Sequence, residues 1–199
     1  MNGQSACKTP IVEIASFRYL ESLRTQHASP EAIAKFETEL AERLVYVYDD
    51  MIRTSSRRAI LDQAGELATN ALHYWKDASG DKATNFRYRL YGLLGNIDIE
   101  PAKNYILCSE NCQGVDRLEC VRLAAFAELN NGNINNAIEY TKAAIYMMLT
   151  VPVNYSSCTE LFHVQQLVDY FNLYDSMKGP LDAVVQRFKK LEAEHIHEK

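Results

Sequence analysis

Arg87, Tyr91 and Leu94 are spaced as Arg122, Phe126 and Leu129 are, 35 residues further along the chain. A guanidinium can grip a carboxylate through two parallel hydrogen bonds, and a ring one helical turn away offers a large, stiff anchor. The trio is therefore equipped for recognition rather than for making or breaking bonds. A plainer use competes with this one, in which the leucines and rings fill the core and the arginine stems cover apolar surface while their heads stay in water. The leucines are expected in the core and the arginines at the surface.

Other reactive groups can be weighed in the same way. Cys108, Cys112 and Cys120 resemble half of a zinc site, but tetrahedral zinc needs a fourth ligand, and no CxxC or HxxxH pair accompanies them, so no metal is expected and the thiols are read as small buried hydrophobes. Cys158 and His163 stand five apart, a poor spacing for facing one another along a helix. Three arginines and three hydroxyls in "RTSSRR" at 53–58 could hold a phosphate or acidic peptide, although a solvated helix junction is the favoured reading. The C-terminal "EAEHIHEK" reads as a solvated tail. GxGxxG, GxxxxGK[ST], HExxH and GxSxG are all missing. No catalytic residue and no cofactor are expected.

The elements that must position these groups are helices. Apolar residues recur three and four apart, as in Phe36, Leu40, Leu44, Val47 and Tyr48, and even the β-branched run "LVYVY" lies inside a longer helical period. Thr9-Pro10 and Ser29-Pro30-Glu31 each place a hydroxyl cap before a first-turn proline, while "SGD", "NNGNINN" and "VPVNYSS" mark connections. The spacing predicts about nine helices: 10–27, 30–53, 57–78, 84–94, 99–110, 115–130, 134–149, 157–177 and 180–196. No strand is expected.

The 35-residue offset extends past the arginines, because Ala102 and Tyr105 of "PAKNY" fall on Ala137 and Tyr140 of "NAIEY"; a third AxxY, Ala71 to Tyr74, precedes them. A period near 34 in which two helices repeat together is that of stacked helical hairpins, each burying its apolar face against its neighbours. Here the chain resembles the tetratricopeptide repeat family, carried by "LECVRLAAFAELNNGNINNAIEYTKAAIYMM" with Ala125, Gly132, Ala137 and Ala144 at the family's small positions. Glu128 and Val121 stand where that family usually has aromatics, and "GNIDIEPA" is two residues longer than "GNINNA". The resemblance implies an all-α fold of antiparallel helical hairpins, as a solenoid or an irregular bundle. It also implies a concave face formed by Glu119, Arg122, Phe126, Leu129 and Asn130, with Thr84, Arg87, Tyr91 and Leu94 matching them in the upstream copy. Such a face receives an extended peptide or a helix of another protein.

A net charge of −5 argues against nucleic acid as the partner, because affinity for phosphate requires a positive surface. The odd count of five cysteines and the absence of an apolar stretch at the start suggest a reducing, cytoplasmic location. The longest apolar run, Ala143 to Val153, is too short for a membrane span. One all-helical domain over 1–199 is expected, with N-terminal helices at 9–78, repeats at 84–150 and a C-terminal hairpin at 157–197. Its expected role is that of a non-catalytic adaptor or chaperone-like holder. Two alternatives are a helical enzyme or ligand-regulated protein with a pocket between hairpins, and a self-assembling subunit in which "AIYMMLTVPV" supplies a homodimer face.

Overall fold

A computed structural model of the chain describes residues 11–48 and 56–196. Among these the protein is all-α, with helices α1 (Ile11–Thr25), α2 (Pro30–Tyr48), α3 (Ser56–Trp75), α4 (Asp81–Asn96), α5 (Pro101–Ser109), α6 (Gly114–Asn130), α7 (Ile134–Met148), α8 (Tyr155–Phe171) and α9 (Lys178–Ile196). The expected cap at Thr9-Pro10 and the residues Arg53, Thr54 and Ser55 of the arginine-rich junction lie outside the described residues. No described helix is long and apolar enough to cross a membrane.

The chain divides into two compact units, Met1–Ile99 and Glu100–Lys199. The boundary falls within the span 84–150 expected to form the repeats, so α4 and α5, which carry the upstream copy, belong to different units. The linking residues Asp98 and Glu100 both adopt left-handed backbone, with φ of 67° and 39°. These lie in the connection that is two residues longer than its counterpart.

In the N-terminal unit α3 packs along α2 and against α4. Ala64, Ala68 and Ala71 form a row on one face of α3 and are fully buried, and without bulk at those positions the leucines of α2, Leu40 and Leu44, also reach the core. Trp75 stacks on Phe86 of α4 with ring centroids 4.2 Å apart, closing the end of this core.

In the C-terminal unit α6 packs against both α5 and α7. Its connections to them span only 110–113 and 131–133, short enough to make neighbouring helices antiparallel. Gly132 takes φ 77° in the second turn, a conformation that disfavours any side chain. Glu128 accepts hydrogen bonds from Asn133 at 2.6 Å and Asn136 at 3.5 Å, fastening the turn to α6. Ala102, Tyr105 and Ala137 are all buried and Tyr140 is half-buried.

Within the run proposed as a dimer face, Ala144, Ile145, Met148 and Val151 are buried and pack with Val164, Val168, Leu181 and Val184 of α8 and α9, Met147 and Leu149 are half-buried, and Tyr146 is 55 % exposed. The helical period marked an apolar face, and α8 and α9 cover it. The helix expected over 157–177 instead ends at Phe171, because Asn172 takes the left-handed conformation (φ 51°) and its N–H bonds back to the Asp169 carbonyl. Met148→Ala should therefore destabilise the fold by about 2–5 kcal/mol in urea unfolding. A variant that instead changed only the concentration dependence of the mass in light scattering would return Met148 to the surface.

Candidate functional site

The residues of the expected recognition stripe are placed very differently from one another. In the N-terminal unit Arg87 is half-buried and donates to the carbonyls of Trp75 at 2.9 Å and Ala78 at 2.8 Å, and to the Thr84 hydroxyl at 3.1 Å. A helix leaves its last carbonyls without partners and carries partial negative charge at that end, so a guanidinium there closes α3. Leu94 is buried, as a core leucine should be, and Tyr91 is half-buried.

In the C-terminal unit Arg122 is only 8 % exposed, against the expectation of a surface arginine. The guanidinium spans to Glu160 of α8, Nε to Oε2 at 2.5 Å and Nη2 to Oε1 at 3.3 Å, and Glu160 is 6 % exposed. It also lies 5.7 Å from the centre of the Phe126 ring. The two-bond grip expected for a partner's carboxylate is thus made within the chain. Periodicity could place Arg122 on a face of α6, but not reveal that α8 covers that face.

Phe126 and Leu129 are half-buried, while Glu119 and Asn130 are exposed. The Glu119 carboxyl is raised above its usual range, first by partial burial and then by the nearby Glu160 charge.

Packing α8 over α6 determines which side of α8 faces outward. The inner side carries Ser157, Glu160, Val164, Leu167 and Val168, all buried. Asn154 and Ser157 begin the helix with a reciprocal capping box, each side chain accepting the other's backbone N–H at 2.8–2.9 Å. The opposite side carries Tyr155, Phe162 and Tyr170, which are 89 %, 61 % and 67 % exposed, with Cys158 and Gln166 between them. Steps of seven and eight residues keep the three rings on one face of the helix. Just beyond, the exposed Tyr174 hydroxyl donates to Asp169 at 2.5 Å, and that bond raises its pKa. Sequence reading missed this face; the signal was an aromatic every two turns on the side opposite Val164 and Val168.

Cys158 belongs to this exposed face, whereas His163 is half-buried and paired with Gln166 at 3.4 Å. Among the described residues no group of three His, Cys, Asp or Glu side chains is arranged to hold a metal ion. Two open surface clefts lie in the N-terminal unit, one of about 440 Å³ beside Phe17, Arg18 and Gln63 and one of about 720 Å³ beside Asp62, Glu66 and Asn70. Neither is lined by Arg87.

No family model, curated protein or solved structure matches the chain.

Removing one member of a buried ion pair leaves the other charged, desolvated and unmatched. Arg122→Met alone and Glu160→Leu alone should therefore each destabilise the protein by about 3–5 kcal/mol, while the two replacements together should recover most of that loss. Urea unfolding of the two single variants and the double variant measures the coupling; strictly additive effects would mean the pair is not a unit.

Proposed function

We propose that the chain is a non-catalytic protein-binding module, an adaptor or chaperone-like holder, and that its docking element is the outer face of α8. The supporting observation is the row of Tyr155, Phe162 and Tyr170 held in solvent on a helix whose other side is locked into the core. Exposed single hydrophobics are ordinary, but three large rings aligned along one helical face form a patch. Aromatics supply most binding energy at protein interfaces because they bury much area while losing few rotamers. The occupant this face suits is a helix or extended segment of another protein, which can cover the rings while Gln166 and the tyrosine hydroxyls keep hydrogen-bonding partners.

This differs from a groove lined by Arg122, whose guanidinium is already committed to Glu160. The net charge of −5 and the distribution of large apolar groups favour a protein over nucleic acid as the partner. The cysteine usage fits a reducing, cytoplasmic location.

Alanine at Tyr155, Phe162 and Tyr170 together should leave the helical circular dichroism unchanged, with thermal stability altered by only about 1 kcal/mol. Partners captured from the native cell by the unaltered protein should be lost, with binding at least about tenfold weaker for any partner then purified. Retention of the same partners at the same affinity would rule out this face, and a concentration-dependent mass abolished by the triple variant would identify the partner as a second copy.

A further inference from the structure

Beyond the partner-binding face, the contact between α5 and α6 brings together three thiols from separate positions. Cys108 on α5 and Cys120 on α6 are 1 % and 5 % exposed, and the Cys120 thiol donates to the Cys108 sulfur across 3.0 Å. Cys112, in the connection between the helices, is half-buried, and as a thiol it donates to the Cys108 carbonyl at 3.4 Å. None of the three is in a disulfide, and Tyr105 lies near Cys108 and Cys120.

We propose that Cys112, Cys108 and Cys120 form a peroxide-responsive thiol site, in which a hydroperoxide oxidises Cys112 and the oxidation is passed inward to a disulfide linking Cys108 to Cys120. The geometry divides the roles. Cys112 is half-buried where Cys108 and Cys120 are buried, and the sulfurs of the buried two are already in contact.

The electrostatics agree with that division. Hydrogen bonds from Cys108 and Cys120, together with the charge of Arg117, hold the Cys112 thiol down at about 4. Its bond to Cys112, with burial adding, pushes Cys108 up to about 12, and Cys120 is pushed up by both thiol neighbours and by burial. The charge of Glu119 also opposes negative charge on Cys108, while burial and then the neighbouring thiols push Tyr105 up to about 12. Of the three thiols Cys112 is thus the one that loses its proton while Cys108 and Cys120 keep theirs, and the thiolate is the nucleophilic form.

The steps balance. The Cys112 thiolate attacks one oxygen of hydrogen peroxide, the O–O bond breaks, and the departing hydroxide takes a proton and leaves as water, so Cys112 becomes a sulfenic acid. The Cys120 sulfur then attacks the Cys112 sulfur, the S–O bond breaks, and the hydroxide leaves as water with the proton that Cys120 gives up. Cys108 finally gives up its proton to water, replacing the one the first hydroxide took, attacks Cys120 and expels Cys112, which departs readily because its thiolate is the most stable of the three. Two thiols are oxidised by two electrons, one peroxide is reduced to two waters, and Cys112 is restored. The product fastens the end of α5 to α6.

The test uses the reduced full-length chain treated with hydrogen peroxide near equimolar amounts. Intact mass should fall by two hydrogens, and peptide mapping should find Cys108 joined to Cys120. Cys112→Ser should slow disulfide formation at least about tenfold, and Cys108→Ser should trap a Cys112–Cys120 link instead. Circular dichroism of both variants checks that they fold, and the mapping of the unaltered chain stands without them. Gain of two or three oxygens on Cys112 with no disulfide, disulfide formation at an unchanged rate in Cys112→Ser, or oxidation confined to the exposed Cys158 would each overturn the proposal.

Discussion

The C-terminal unit depends on the pairing of Arg122 with Glu160. Both side chains are almost wholly removed from water, and charges so placed are tolerable only when each is matched closely by the other. That requirement allows α8 essentially one register over α6, because sliding by a turn would strand two buried charges. Apolar packing of Val164, Leu167 and Val168 supplies attraction without comparable selectivity, since hydrophobic burial is non-directional. The ion pair selects the register, and the register turns Tyr155, Phe162 and Tyr170 outward.

Arginine plays a second internal role in both units. Arg87 closes the end of α3, and Arg187 of α9 closes the end of α7 by donating to the Met148 carbonyl at 2.8 Å and the Val151 carbonyl at 2.5 Å. In each case a helix is continued by an irregular segment, and a forked donor reaches carbonyls that have no helical partner. Residue types that suit partner recognition therefore serve largely to close this chain upon itself. In the proposed function, recognition is assigned instead to Tyr155, Phe162 and Tyr170 of α8.

Small residues allow the third arrangement. Alanines at 102, 124 and 137 let α5, α6 and α7 approach closely, and cysteine, scarcely larger than alanine, fits the same contacts while carrying a reactive atom. As hydrophobes Cys108 and Cys120 fill space at the α5–α6 contact. Their sulfurs acquire chemical meaning only because Cys112 stands over them in the connecting turn.

Helix content and approximate helix limits were legible because they follow from local rules: three-and-four periodicity, proline in a first turn, and glycine at a left-handed turn such as Gly132. The burial of Leu94, Ala102 and Ala137 could be read from the same pattern. Three features could not. Arg122 meets a carboxylate 38 residues away, Cys120 joins Cys108 from a different helix, and the apolar face holding Met148 is covered by α8 and α9 rather than by a second molecule. Asn172 ends α8 early through a backbone conformation that asparagine tolerates but does not impose. Sequence alone determined which residues share a helical face, since that depends on the pitch of one helix; only tertiary structure decided what each face meets, since that depends on packing among helices distant along the chain.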